Sequence, residues 1–308
     1  MQVTEEIEPV GMTFDSDGNT LEALFYRPTT PGPHPLIVMA GGWCYVKELA
    51  QPRFAQVFAA HGMAALIFDY RNFGGSGGTA RQHLDPWQQI ADYRNAITFA
   101  ERLHDIDAYR IGAWGISYSG GHVLVLGALD SRVKALCGVV PVVDGYENMR
   151  LAHGTLGFRR LQQALLDARR HRAATGELTY IEHQPHSEGD LATWPFPKSK
   201  QVFAQLKAEQ APAYVGHTTS ESAELLLAYT VMPYLPRLLG KPVMMVLAEG
   251  DDHTHWDLAV KAFDQIPGQA KSLSIVPASN HLTLYSNEQQ QQRTASEIAS
   301  FFVKSLAS

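Results

Sequence analysis

The chain has 308 residues, of which 45% are hydrophobic and 18% are charged. It is long and apolar enough to bury a core as one large domain, which disfavours a disordered chain. The net charge of -6 and the pI of about 6.1 exclude the basic surface that nucleic acids and anionic membranes attract. The expected partner is a small, largely neutral molecule, and the sequence leaves a homodimer open.

The cysteines and the first ten residues indicate the cellular compartment of the protein. Cys44 and Cys137 lie in or beside apolar runs without metal-type spacing, so they predict buried thiols rather than a disulfide or a zinc knuckle. Met1–Val10 carries three glutamates and lacks the basic head and apolar stretch of a secretory signal. No run approaches the roughly 18 apolar residues that span a bilayer. These features predict a cytoplasmic protein.

The first half of the chain predicts a hairpin followed by alternating strands and helices. Residues 9–27 predict the hairpin, which should form the antiparallel edge of a sheet, because two strand-like runs flank a turn-rich loop. Further strands are predicted at 36–40, 64–70, 110–116 and 133–143, with helices at 50–61, 85–103 and 122–129. This alternation predicts an α/β fold, with a mostly parallel sheet and helices on both faces.

The alternation of predicted strands and helices stops after residue 144 and resumes near residue 241. Residues 145–239 lack strand-like runs and predict helices at 156–172, 199–209 and 220–230. Strands then return at 241–248 and 272–276, with helices at 256–265 and 287–305. The pattern predicts a core of residues 1–144 and 240–308, with residues 145–239 inserted as a helical cap.

Ser117 follows an apolar strand that ends at Ile116 and precedes a helix-like segment, which is the setting of a nucleophile elbow. In such a turn the residues two before and two after the serine are small, as Gly115 and Ser119 are here. The N–H of Tyr118 then lies at a helix start, where it favours a developing oxyanion. Ser119 is an alternative nucleophile, but the end of the apolar run favours Ser117.

A nucleophilic serine needs a neighbouring base, and the base needs an acid that orients it. The last two predicted strands are followed by Glu249-Gly250-Asp251-Asp252-His253 and Pro277-Ala278-Ser279-Asn280-His281. These segments supply an acid and then a histidine, in the order expected after a nucleophile elbow. The hypothesis is a triad of Ser117, Asp251 and His281, with Asp252 and Asp144 as alternative acids.

The loop after the 36–40 strand is the expected source of a second oxyanion donor. Gly41 and Gly42 precede Trp43, whose backbone N–H would act together with that of Tyr118. The alternative is that the two glycines form only a tight turn.

Two other stretches contain residue types that bind metals or phosphates. His253 and His255, beside two aspartates, suggest a metal cluster, but no third ligand follows at a typical spacing. The glycines at 74–78 lack the Gly-Lys-Ser or Gly-Lys-Thr of a phosphate loop. We therefore expect no metal and no cofactor.

Four stretches together resemble the α/β-hydrolase superfamily. They are the elbow at 115–121, Asp69-Tyr70-Arg71-Asn72-Phe73-Gly74, Val38-Met39-Ala40-Gly41-Gly42 and Ala248-Glu249-Gly250-Asp251. The most similar branch holds the dienelactone-hydrolase-like and X-prolyl-peptidase-like hydrolases, whose relatives include polyketide transferases and thiohydrolases. The resemblance implies Ser117, Asp251 and His281 as the triad, with the amides of Trp43 and Tyr118 as oxyanion donors. Gly41 departs from the pattern, because the family commonly has histidine there.

The residues and the resemblance predict a serine hydrolase that cleaves an ester or thioester. The predicted cap is placed to cover Ser117 and carries apolar and aromatic residues, which favours a small to medium, partly hydrophobic acyl group. Acyl transfer to an acceptor other than water and carbon–carbon bond hydrolysis are alternatives that the same triad supports. A non-catalytic binding protein that kept the fold is a further alternative.

Overall fold

The structure is a computed structural model that describes residues 6–307. Residues 1–5 and residue 308 lie outside the described residues. Residues 1–5 are half of the segment Met1–Val10, on which the prediction about a secretory signal depends. Within residues 6–307, no helix combines the length and the apolar character that crossing a bilayer requires.

Eight strands of the described chain form one sheet. They are β1 (Val10–Ser16), β2 (Asn19–Tyr26), β3 (His34–Ala40), β4 (Ala64–Phe68), β5 (Ile106–Ile116), β6 (Val133–Val139), β9 (Val243–Ala248) and β10 (Lys271–Val276). Their order in the sheet is β1-β2-β4-β3-β5-β6-β9-β10. β1 and β2 pair antiparallel, β2 joins β4 antiparallel, and the other neighbours are parallel. The predicted mostly parallel α/β fold with an antiparallel edge is confirmed.

Helices cover both faces of this sheet. The helices of residues 6–307 are α1 (Gln51–Ala60), α2 (Pro86–Ala100), α3 (Tyr118–Leu129), α4 (Gly145–Thr175), α5 (Pro197–Glu209), α6 (Ser220–Leu227), α7 (Trp256–Gln265), α8 (Thr283–Ser286) and α9 (Glu288–Ser305), of which α4, α5 and α6 lie between β6 and β9 in the chain. α1 packs against α9, and α2 packs against α3. Every residue of β4 and β9 is buried, as continuous apolar strands between two helical layers require.

The strand predicted at residues 133–143 is too long. The apolar run 133–143 predicts a strand to Val143, but β6 ends at Val139. Val140 has a φ of 40°, which lies outside the extended region, and Pro141 has no N–H to donate to a neighbouring strand. The chain therefore leaves the sheet at this point, beside the end of β5.

Residues 145–239, here called the inserted segment, run between β6 and β9, which are neighbours in the sheet. The segment differs from the purely helical prediction, because β7 (Tyr180–Glu182) and β8 (His217–Thr219) pair antiparallel within it. Strands of three residues are too short to give a periodic signal in the sequence. α4 also begins at Gly145, well before the predicted 156, and includes non-helical geometry at Gly154 with a φ of 63°.

Candidate active site

Ser117 lies at the end of β5, in a sharp turn that starts α3. Its backbone has φ 57° and ψ -116°, a conformation that non-glycine residues rarely adopt outside strained functional turns. The Ser117 N–H donates to the Val139 carbonyl at 2.8 Å, and its own carbonyl accepts from the Val142 N–H at 3.0 Å. A Cβ at Gly115 would lie 2.2 Å from the Ser119 carbonyl oxygen. The turn therefore sterically requires glycine at position 115, two residues before the serine.

His281 and Asp251 form a buried pair, with 2.9 Å between His281 Nδ1 and Asp251 Oδ2. Asp251 Oδ1 accepts from the backbone N–H groups of His253 and Thr254, each at 2.9 Å. The Thr254 hydroxyl donates to Asp251 Oδ2 at 2.9 Å. These bonds fix the carboxylate on the imidazole. Ser117 and His281 line one cavity, although Ser117 Oγ and His281 Nε2, both within residues 6–307, form no hydrogen bond.

The two alternative acids contact other partners. The Asp252 carboxylate lies 2.8 Å from His253 Nδ1, and this hydrogen bond lowers the pKa of Asp252 below its ordinary value. Asp144 caps α4, where its side chain accepts from the Glu147 N–H at 3.0 Å. Of the three candidate acids, Asp251 is the one that contacts His281.

The loop that follows β3 passes directly against Ser117. A Cβ at Gly42 would lie 2.8 Å from Ser117 Cβ and 3.3 Å from the Ile116 carbonyl oxygen. Tyr118 is the first residue of α3, so its N–H has no partner within the helix. Within residues 6–307, no acceptor pairs with the backbone N–H of Trp43. Tyr118 therefore has a free amide directly after the serine, and Trp43 has a free amide in the loop that passes against it.

Gly41 stands where the resemblance led us to expect histidine, and the reason is steric. A Cβ there would lie 2.6 Å from Tyr45 Cβ and 2.8 Å from Gln51 Nε2, so a histidine does not fit in this loop. The Gly41 carbonyl instead accepts from the Ser119 hydroxyl, which lies 2.6 Å from the Tyr70 hydroxyl. Ser119 is fully buried in this network. Its hydroxyl anchors the loop rather than facing the cavity that Ser117 lines.

Sequence reasoning missed Tyr285 as a residue of the site. Its hydroxyl lies 3.2 Å from His281 Nε2, the ring nitrogen that does not contact Asp251. The only signal in the sequence is that Tyr285 lies four residues after His281. This spacing brings the two side chains together only if the chain turns helically between them, as it does at the start of α8.

Residues 17–283 of the chain match the family described as X-Pro dipeptidyl-peptidase (S15 family). The chain belongs to this S15 family. The match contains Ser117, Asp251 and His281 and ends two residues before Tyr285. Together with the fold, it identifies this S15-family protein as an α/β-hydrolase enzyme of the hydrolase or acyltransferase type.

Three relatives illustrate the similarity of this S15-family enzyme. Quorum-quenching protein AidA of Acinetobacter baumannii is 39% identical over 159 residues, a match that spans 52% of each chain. Thiohydrolase aneE of Aspergillus aculeatus is 28% identical over 86% of this chain and 83% of its own. The solved structure described as DcsB in complex with its substrate analogue has a TM-score of 0.83 at 24% identity, covering 97% of this chain and 100% of that chain. Relatives named polyketide transferase also occur, which confirms the resemblance seen in the sequence.

Three ligand-type side chains of the stretch that contains His253 lie close together in the S15-family enzyme. Atoms of Asp251, Asp252 and His253 lie within 4.8 Å of one another, whereas His255, which the sequence hypothesis included beside these residues, is not in the group. Both oxygens of Asp251 accept hydrogen bonds from protein groups. A cation bound there would compete with these protein groups for an Asp251 oxygen, so the contacts fit a positioning role for Asp251 better than a metal-binding one.

Two cavities meet at His253. The inner one, at Ser117 and His281, has a volume of about 10 Å³, about the least that one water molecule needs. The outer one has a volume of about 650 Å³. His253 and Ser199 line both cavities, with 2.7 Å between His253 Nε2 and Ser199 Oγ. The His253 ring also stacks on Phe196, with centroids 3.9 Å apart. These contacts form the wall between the cavities.

Proposed function

We propose that the protein is a serine hydrolase that cleaves an ester or thioester through an acyl-enzyme on Ser117. The observation that carries the proposal is the strained, buried serine that shares one cavity with the buried His281–Asp251 pair. In this proposal His281 takes up the serine proton and Asp251 holds the imidazole, while the amides of Trp43 and Tyr118 bind the oxyanion. Water then releases the acid, so the steps use protein groups and water alone.

The proposed acyl group is small to medium in size and partly hydrophobic. Four aromatic side chains, Trp43, Tyr45, Trp194 and Phe203, line the inner cavity together with Ser117. The inner cavity is too small for any acyl chain, whereas the outer cavity of about 650 Å³ lies directly behind His253. The proposal therefore places the acyl chain in the outer cavity once the wall at His253 opens.

The inserted segment acts as a cap in this proposal, over a core of residues 1–144 and 240–308. His183, Trp194, Ser199 and Phe203 support this role, because they belong to residues 145–239 and line the cavity that contains Ser117. The proposed partner is a small ester or thioester in the cytoplasm, bound between cap and core.

A second candidate function is acyl transfer to an acceptor other than water. The observation that favours it is the closed inner cavity, which has room for one water molecule at most. Excluding water from an acyl-enzyme lets another nucleophile take the acyl group. Relatives named acyltransferase and polyketide transferase support the same candidate.

The test is a substrate panel with the Ser117→Ala variant as the blank. The panel holds p-nitrophenyl esters with acyl chains of two to twelve carbons, the matching acyl thioesters and an X-Pro anilide. The proposal predicts Ser117-dependent turnover of medium-chain esters or thioesters above the acetyl member. Preference for the acetyl ester would contradict the acyl-chain assignment, and anilide cleavage alone would indicate a peptidase. Turnover that requires an added alcohol or amine would favour the transferase.

A further inference from the structure

The Asn148 side chain joins the inserted segment to the loop that carries Asp251. Asn148 lies near the start of α4 and is buried. Its Nδ2 donates to the His253 carbonyl at 2.7 Å, and its Oδ1 accepts from the His255 N–H at 3.0 Å. Both partners are backbone groups of the loop that follows β9. One amide side chain therefore holds both ends of the tripeptide 253–255, more than 100 positions away in the chain.

The orientation of the Asn148 amide follows from these partners. A backbone carbonyl only accepts and a backbone N–H only donates, so the NH₂ group faces His253 and the oxygen faces His255. Within residues 6–307, neither of the two backbone groups has another hydrogen-bond partner. Removing the side chain would leave both groups unpaired, which costs free energy wherever water is kept out. The tripeptide therefore depends on Asn148 for its conformation.

The tripeptide held by Asn148 carries every protein group that donates to the Asp251 carboxylate, apart from His281 itself. The N–H groups of His253 and Thr254 donate to Asp251 Oδ1, each at 2.9 Å. The Thr254 hydroxyl donates to Asp251 Oδ2, the oxygen that lies 2.9 Å from His281 Nδ1. The contacts thus form a chain that runs from α4 through the tripeptide and the carboxylate to the imidazole.

We propose that Asn148 is a positioning residue that holds the Asp251 carboxylate on His281. The inference rests on the proposed function and deepens it, because the inserted segment then orients the base in addition to covering the site. In the described part of the chain, the Asn148 side chain forms no hydrogen bond with Ser117 or His281, so it acts through Asp251. A misplaced imidazole slows proton transfer more than it weakens substrate binding.

Two variants remove different parts of this clamp. Asn148→Ala removes both hydrogen bonds. Asn148→Asp keeps the shape, but an ionised carboxylate only accepts and cannot bond to the His253 carbonyl, whereas a protonated carboxyl donates and accepts as the amide does. We therefore expect the kcat of Asn148→Asp, divided by that of the unmodified enzyme, to rise as the pH falls from about 8 to about 5. The same ratio for Asn148→Ala should not change with pH.

Steady-state kinetics on the best ester of the panel measures the size of the effect. Asn148→Ala should lower kcat by about 10- to 100-fold and leave KM within about threefold, because the base is misplaced while the binding surface is kept. Asn95→Ala is the matched control, since Asn95 Nδ2 donates to Ser16 Oγ at 2.9 Å, and its kcat should stay within about threefold. A kcat of Asn148→Ala in that same range would overturn the proposal. If Asn148→Ala fails to fold, a ratio for Asn148→Asp that does not rise at low pH overturns it.

Proton NMR measures the positioning of the imidazole without any substrate. The proton between His281 Nδ1 and the Asp251 carboxylate lies in a short hydrogen bond to a charged acceptor and resonates at low field, and His281→Gln assigns its signal. We expect this signal to shift or disappear in Asn148→Ala and to stay unchanged in Asn95→Ala. An unchanged signal in Asn148→Ala would overturn the proposal. A changed signal together with no Ser117-dependent turnover in the unmodified enzyme would support the clamp and reject the proposed function.

Discussion

The ring of His253 stacks on the ring of His281, with centroids 5.2 Å apart and planes only 5° apart. His253 thereby connects the wall between the two cavities to the residue proposed as the base. Burial lowers the pKa of His253 below its ordinary value, so the ring is neutral at neutral pH. The proposed opening of the wall requires breaking the bond between His253 Nε2 and Ser199 Oγ.

Removing that hydrogen bond should ease access for long substrates. We expect Ser199→Ala to raise kcat/KM severalfold for octanoyl esters, because Ser199 is the residue of the inserted segment whose hydroxyl bonds to the His253 ring. The acetyl ester should respond less, since it needs less of the outer cavity. Ser300→Ala, in α9 and exposed, serves as the control in p-nitrophenyl ester assays. Equal effects on acetyl and octanoyl esters would contradict the role of the wall.

Replacement of the proposed acid should affect turnover far more than binding. Asp251→Asn is expected to lower kcat by ~10⁴-fold with little change in KM, because the amide would favour the wrong tautomer of His281. Asp252→Asn is the matched control, since its carboxylate contacts His253 instead. Steady-state kinetics on the best ester of the panel measures both variants. A larger loss from Asp252→Asn would move the acid to the neighbouring residue.

A methyl group at Gly42 should displace the loop that carries the Trp43 amide. The added Cβ of Gly42→Ala would lie 2.8 Å from Ser117 Cβ, so either the loop or the serine has to move. We expect kcat to fall by about 10²- to 10³-fold, as for the loss of one oxyanion donor. Gly11→Ala is the control, because nothing lies within 4 Å of the Cβ there. Unchanged kcat in Gly42→Ala would show that this loop takes no part.

The sequence indicated the core of the fold well, because its strands are local and strongly apolar. Val243–Ala248 is an uninterrupted apolar run that is fully buried, and the helix predicted at 256–265 has those bounds in the structure. The loops that follow β9 and β10 could therefore be named as the sources of an acid and a histidine. Because β9 and β10 pair in parallel, the loops that follow them end at the same edge of the sheet, and Asp251 and His281 come into contact there. The roles of these two residues stay predictions.

The remaining features depend on contacts between distant parts of the chain. Tyr45 fills the space beside Gly41, and no pattern in the sequence predicts that this side chain turns back on the loop. α8 has only four residues, too few for a helical period, so Tyr285 could not be placed beside His281. The wall at His253 could not be predicted either, because it forms only when the inserted segment packs against the loop after β9. Ser199 and His253 are 54 positions apart in the chain.

Stability should fall as the pH drops below 6.5, partly because of His122. Burial lowers the pKa of His122 from 6.5 to about 3, so between these values the unfolded chain binds a proton that the folded chain does not. The free energy of unfolding should therefore decrease by up to ~1.4 kcal/mol per pH unit in this window. Urea unfolding of His122→Gln should lack this part of the slope. The exposed His104→Gln should retain it, and identical slopes in all three proteins would contradict the assignment.

Fluorophosphonate labelling followed by fragment sequencing of the modified peptide identifies the nucleophile of the enzyme without knowledge of the substrate. Ser117 and Ser119 lie on the same strand-to-helix junction, so the fragments have to separate the two. We predict a single adduct on Ser117 at neutral pH, lost in Ser117→Ala and slowed in Asp251→Asn. Absence of an adduct, or an adduct on Ser119 that persists in Ser117→Ala, would contradict the account.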